Sequence, residues 1–290
     1  MHQYLEAIGF HINNKKELQS LLKDVINHFT HQTIVSYSDE SDYCELQKEF
    51  GQDIGISICG DLDSNDIFQP DYYTPYYEGS GVTTHADIII ERRYEKEQYI
   101  GICEDPRIGI SLIFHLLNGV EYMREKKIGL QEGFPTSLTL SGLALKGKIL
   151  FPVVKDSAQL KEENEANNNR KNLINAARSG DQSAMESLTL DDIDTYSKVS
   201  RRLMDEDIFS IVDTYFMPYG VECDLYAILG EILAVRKRVN TATQVQLYQM
   251  KIEVNELQFD ICVPQDAVLG EPEIGRRFKA NIWLQGIINY

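Results

Sequence analysis

Residues 225–239 (LYAILGEILAVRKRV), 245–254 (VQLYQMKIEV) and 257–263 (LQFDICV) are three successive runs in which apolar and polar side chains alternate. Alternation with period two puts neighbouring side chains on opposite faces of an extended chain, so each run reads as a strand with one buried face. Asn240–Gln244 and Asn255-Glu256 separate the runs and are placed as turns. A short irregular or helical stretch at Gln265–Leu269 follows, then a last long run at 275–288 that Gly286 is placed to bend. Gly230 interrupts the first run, where a long strand can turn and serve two sides of a closed sheet.

Residues 220–290 are therefore expected to form a small antiparallel β-barrel resembling an OB-fold. Its expected core is Ile228, Ile232, Val235, Leu247, Ile252, Val254, Phe259, Ile261, Ile282 and Leu284. Trp283 lies opposite its neighbours in the pleat and is expected to close one end against a helix ending at Phe216.

Upstream the period changes twice. Leu18, Leu21, Leu22, Val25, Ile26 and Phe29 recur at three- and four-residue spacing, which predicts an amphipathic helix. Short Ile- and Val-rich runs at 33–37, 54–59, 86–92, 99–103, 109–116 and 138–151 predict strands. A sheet with packed helices makes residues 1–155 an α+β unit. Residues 156–172 are almost without apolar side chains and read as a solvated helix or a linker. Helix returns over 173–218, broken at Gly180 and stopped by Pro218 and Gly220; Thr189 is placed as an N-cap, with Leu188 and Ile193 as a hydrophobic staple. The expected organisation is an α+β unit (1–155), a linker and helical connector (156–219) and a barrel-like unit (220–290).

The chain of 290 residues carries a formal charge of −17. Residues 220–290 contribute nine acidic and seven basic side chains, so the excess lies upstream. A field of that sign repels nucleic-acid phosphates and anionic membrane surfaces, so neither is an expected partner. The five cysteines are scattered without C-x-x-C spacing, as in a reducing, cytoplasmic compartment. Met1-His2-Gln3-Tyr4 opens without a basic start and apolar core, so no secretory signal is expected. No apolar run approaches the ~20 residues needed to span a bilayer.

Several motifs fail at a required position. Gly142–Lys148 spells G-x-x-x-x-G-K, but Ile149 stands where a phosphate loop needs Ser or Thr, and the flanking residues alternate as in a strand. Asp61, Asp63 and Asn65 start like a calcium loop, but Asp66 and Tyr72 replace its Gly and bidentate Glu. Asp24, His28 and His31 share a helical face but fall short of a zinc ligand set. Gly55-Ile56-Ser57 and Gly109-Ile110-Ser111 lack the second Gly of a nucleophile elbow. No metal and no cofactor is expected.

Pro70–Tyr77 (PDYYTPYY) is the unusual segment, four tyrosines between prolines. It reads either as a rigid aromatic recognition loop or as a cap on the sheet. Candidate binding residues are Tyr72, Tyr73, Tyr76 and Tyr77, with His85 and His115. Two function classes follow. One is a non-enzymatic binding or scaffolding protein whose partner is another protein or a second copy of the chain. The other is a hydrolase-like enzyme whose site assembles only in the fold, near Asp71, His85, Asp87 and His115.

The stretches DTYFMPYGVECD (213–224), LGEPEIGRRFK (269–279), ESLTLDD (186–192), IWLQG (282–286) and YLEAIGF (4–10) resemble a family of uncharacterised bacterial proteins, a domain of unknown function. The resemblance covers essentially the whole chain. It implies no activity and no catalytic residue.

Overall fold

The computed structural model describes residues 3–36, 41–63, 67–93, 98–128, 137–153, 157–202 and 208–290. The chain opens with a 3₁₀ turn, Gln3–Ile8, whose Tyr4, Leu5, Ala7 and Ile8 are buried. Helix α1 (Lys15–Asn27) follows, started by Asn14, whose Oδ1 accepts from the backbone N–H groups of Lys16 and Glu17. Two orphan donors of the first turn are thus satisfied, and the Glu17 carboxylate returns to accept from the Asn13 N–H just before the cap. Val25 is fully buried and Leu18, Leu21, Leu22 and Ile26 join the same core, as the helical spacing predicts, but Phe29, expected on the same stripe, lies beyond the helix end and is exposed.

Four antiparallel strands then form a meander: β1 (His31–Ser36), β2 (Ser41–Gly51), β3 (Ile54–Asp63) and β4 (Phe68–Tyr77), in that order. The tyrosine segment is thus a strand and not a loop. Among the described residues it lies at the sheet's edge, paired with β3 alone, and an edge strand tolerates the missing N–H groups of Pro70 and Pro75. Gly60 of β3 lies opposite a bulge in β4, where Asp71 is the extra residue between Pro70 and Tyr72; a Cβ on Gly60 would lie 2.1 Å from the Gln69 carbonyl oxygen.

A second sheet begins with β5 (Ile88–Arg92), β6 (Tyr99–Cys103) and β7 (Leu112–Leu116), continues through α2 (Gly119–Ile128), and reaches β8 (Ser137–Leu150). The connector is helical: α3 (Ser157–Arg178), α4 (Gln182–Arg202) and the single turn α5 (Ile208–Ile211). Gly180 at φ +90° breaks the first two apart, as expected. The cap of α4 is Asp181, whose Oδ1 accepts from the N–H groups of Ser183 and Ala184. Thr189 is inside α4, its hydroxyl spent on the Met185 carbonyl, and Ile193 is exposed, so the cap and staple expected at 188–193 do not form. The helix expected to end at Phe216 stops at Ile211, and Tyr215–Pro218 is strand β9.

The remaining strands are β10 (Leu225–Val239), β11 (Gln246–Val254), β12 (Leu257–Pro264), β13 (Val268–Leu269) and β14 (Arg277–Asn289). Around the barrel the order is β8, β12, β11, β10, β14 and back to β8. Every junction is antiparallel except β8 with β12, paired in parallel at Ser141–Leu143 and Asp260–Cys262. The barrel is closed and OB-like, and the stave that closes it, β8, precedes the helical connector in sequence. The β11–β12 turn has both central residues, Asn255 and Glu256, at positive φ, the backbone of a two-residue hairpin whose twist matches its strands. β10 leaves β14 for β11 at Glu231, beside Gly230, and a Cβ at Gly230 would lie 2.4 Å from Ile252 Cγ2.

Ile228, Ile232, Ile252, Val254, Phe259, Ile261, Ile282 and Leu284 fill the barrel, with Val235 half-buried against them. Leu247 is buried on the outer face instead, where the 3₁₀ turn, α1 and β3 pack against β8, β12 and β14. Polar clamps fix this second layer. Gln285 accepts from the Tyr77 N–H and donates to the Pro75 carbonyl, and Asn240 donates to the Ile8 carbonyl. Among the described residues, no helix is long and apolar enough to cross a membrane.

Candidate functional site

Where the face of the meander meets the end of β7 and the start of α2 there is a cavity of about 20 Å³. That volume holds one water-sized group. Because side chains alternate along a strand, residues two apart share its wall: Glu45 and Gln47 from β2, Ser57 and Cys59 from β3, Tyr72, Thr74 and Tyr76 from β4. Glu78 and Tyr99 join them, and His115, Leu116, Leu117, Gly119 and Val120 form the opposite side.

Glu45 is 5% exposed. Its Oε1 accepts from the Ser57 hydroxyl at 2.6 Å and from Gln47 Nε2 at 3.3 Å. Burial pushes its carboxyl up to about 7, against the opposing effect of those two hydrogen bonds; the nearby charges of Glu78 and Glu121 push the same way as burial. The Ser57 hydroxyl lies 3.8 Å from Cys59 Sγ. Burial, then the Glu45 charge, holds that thiol far above its ordinary range. Burial also raises the phenols of Tyr72 and Tyr76. At neutral pH the Cys59 thiol and the Tyr72 and Tyr76 phenols are therefore neutral, while Glu45 is close to its titration midpoint.

His115 is 5% exposed and its ring lies 5.1 Å from that of Trp283. Trp283 stacks on Tyr4 at 5.4 Å and donates from Nε1 to Asp224 Oδ2 at 3.0 Å. It closes the barrel's outer side against the N-terminal turn, not an end against the segment at Phe216. A column of three rings therefore ties the cavity wall to the first residues of the chain.

Of the residues singled out from sequence, the structure brings Tyr72, Tyr76 and His115 to one cavity. Tyr73 and Tyr77 lie on the other face of β4, packed toward the barrel. Asp71, His85 and Asp87 are exposed and line no part of the cavity. Asp24 is engaged by His28 at 2.9 Å and Lys48 at 2.6 Å, and His31 is in β1, 3.4 Å from Glu49. Among the described residues no three His, Cys, Asp or Glu side chains are placed to hold a metal ion. Gly142–Lys148 is mid-strand in β8, without the helix a phosphate loop needs. Asp63 Oδ1 accepts from the Ile67 N–H; Asn65 and Asp66 lie outside the described residues. Glu45 had no sequence signal except the alternation of Cys44, Leu46 and Phe50, which marks β2 and puts position 45 on its other face.

The fold and the seam define a two-layer protein, an OB-like barrel with an antiparallel meander docked on its outside and a small acidic cavity at one junction. The profile of the family described as "Domain of unknown function, E. rectale Gene description (DUF3881)" matches residues 5–286, and the chain belongs to that family. No curated protein and no solved structure matches it.

Proposed function

We propose that the protein is a non-enzymatic binding protein, and that the seam cavity receives a small group presented by its partner. The observation that carries this reading is the cavity's size together with the state of its walls. About 20 Å³ holds one water-sized group. The Cys59 thiol is held neutral, whereas a nucleophilic thiol needs the opposite environment. The five cysteines are free, which supports a reducing, cytoplasmic setting.

One observation favours a hydrolase as the second reading: Ser57, Glu45 and His115 border a single cavity. A panel of p-nitrophenyl esters and phosphates separates the two. The binding reading expects no turnover above the uncatalysed rate. Turnover that Ser57→Ala or His115→Ala abolishes would establish the hydrolase.

A further inference from the structure

We propose that two copies of the chain join edge to edge along β5 (Ile88–Arg92), antiparallel and in one register, with Ile90 opposite Ile90. β5 contributes no residue to the seam cavity, and the inference goes beyond the binding reading above without depending on it. A strand at the edge of a sheet presents a row of N–H and C=O groups that a second chain can pair with, and proteins blunt such edges. Among the described residues the other edges are blunted. β4 carries Pro70 and Pro75, β9 has four residues and ends in Pro218, and β13 has two residues. Helix α2 packs against β1, with Lys127 Nζ donating to the Ser36 carbonyl. β5 is regular, without proline, lysine or bulge, and β6 is the one strand paired with it among the described residues.

The direction of its backbone groups follows from the hairpin. The Arg93 N–H donates to the Gln98 carbonyl, and β5 pairs with β6 in the register that continues from there. Bonded and non-bonded pairs alternate along an antiparallel ladder, so Ile89 and Glu91 turn their backbone groups to β6. Ile88, Ile90 and Arg92 turn theirs to the free edge. The side chains alternate as well: Ile88 and Ile90 pack on the barrel core, while Ile89 is 60% exposed on the other face.

Bonds between two β5 strands run between residues of the outward set, so Ile90 stands opposite Ile88, Ile90 or Arg92. Charge selects among the three, because like charges directly opposite destabilise a strand pair. Ile90 opposite Ile88 sets Asp87 against Glu91, and Ile90 opposite Arg92 sets Glu91 against its own copy. Ile90 opposite Ile90 sets Asp87 against Arg93 and Ile89 against Glu91, twice each about the two-fold. Asp87 is exposed, and Arg93 is 41% exposed and spends one nitrogen on Asp224 at 3.2 Å. A self-complementary contact of this kind closes as a dimer and does not grow into a fibre. Its surface is small and each copy carries −17, so its dissociation constant is expected on the order of 10 µM.

The test is sedimentation equilibrium of the intact chain from about 2 to about 200 µM at about 0.15 M salt, where repulsion between the copies is screened. The weight-average mass is expected to rise from 33.2 kDa toward twice that value. Over the same range, hydrogen exchange at the Ile88, Ile90 and Arg92 amides is expected to slow about fivefold, with β1 unchanged. Ile89→Glu faces Glu91 in the dimer and is expected to weaken it about tenfold; Ile89→Lys gains two cross-strand ion pairs and is expected to leave it as tight or tighter. Ile89 is exposed, so neither substitution disturbs the core, and the lysine variant is the control for folding. A chain that stays at 33.2 kDa throughout, a dimer whose β5 amides exchange as fast as before, or an Ile89→Glu dimer as tight as the parent overturns the proposal. An equal loss in both variants overturns it too, since Ile89 would then stand opposite its own copy.

Discussion

Replacing Glu45 by Gln is expected to stabilise the protein at neutral pH, contrary to the usual effect of removing a buried hydrogen-bonding acid. The Glu45 carboxyl ordinarily titrates at 4.5 and is raised to about 7 in the folded chain, first by burial. The folded state therefore holds this proton more tightly than the unfolded state, and stability falls as pH rises from about 4.5 to about 7. The full cost of ionising the buried group is about 3 kcal/mol at pH 8. Gln keeps an oxygen to accept from the Ser57 hydroxyl and never ionises. Glu45→Gln is thus expected to gain about 3 kcal/mol at pH 8, near 5 °C in Tm for a chain of this size, and nothing at pH 4. Urea denaturation and thermal melts of both proteins across pH 4–8 measure it. A variant no more stable than the parent at pH 8, or a gain that persists at pH 4, would refute the reasoning.

Three further outcomes follow from the fold. Residues 220–290 expressed alone are expected not to fold, because β8 contributes the fully buried Leu138, Leu140 and Leu143, about 6 kcal/mol of burial set against a typical total of 5–15; dispersed amide proton shifts from that fragment would contradict this. Trypsin cutting in α3, at the exposed Arg170, should correspondingly leave two pieces that co-elute on a sizing column, since their staves share one barrel. Asp105→Asn is expected to cost about 3 kcal/mol at pH 7, because it breaks a buried pair with Arg107. Burial disfavours the Asp105 charge, but bonds from Arg107 and Thr84 outweigh it and hold the carboxyl below its ordinary 3.8, so in denaturation series the gap should close as pH falls below that value. Gly230→Ala would press a methyl to 2.4 Å from Ile252 Cγ2, and a loss of less than about 2 kcal/mol on denaturation would show that β10 can move aside.

The barrel was legible because Met250, Ile252 and Val254, then Leu257, Phe259, Ile261 and Val263, alternate strictly in the sequence, although β11 and β12 are buried on both faces and Leu247 falls on the outer one. Its closure was not legible, because pairing between β8 and β14 spans more than a hundred residues of chain and leaves no local trace. The meander was half hidden for a different reason. β2 carries Glu45, Gln47 and Glu49 on one face, which reads as polar chain until the fold buries the first of them. β4 carries two prolines, which argue against a strand everywhere except at an edge. Tyr72, Tyr76 and His115 stood out as residue types, but only register could say that Tyr72 and Tyr76 face the cavity while Tyr73 and Tyr77 face the barrel. The helix expected at 208–216 failed because an apolar cluster of Ile, Val, Tyr and Phe suits either period, and pairing with β10 decided for strand at Tyr215.

The position of β8 ahead of the connector sets an order of events on the ribosome. At 5–20 residues per second, the roughly 130 residues between the end of β8 and the start of β14 take about 6 to 25 s to synthesise. For most of that interval, until β12 is made at Leu257–Pro264, the fourteen-residue strand has neither barrel neighbour. Lys146 and Lys148, on the outer half of that strand, are the charges an unpaired edge carries to resist pairing with other chains. The nascent meander and its N-terminal turn wait as well, since the surface they cover exists only once the last thirteen-residue strand arrives. Closure of the barrel therefore waits for β14, and until then β8 has to be kept from pairing with other chains.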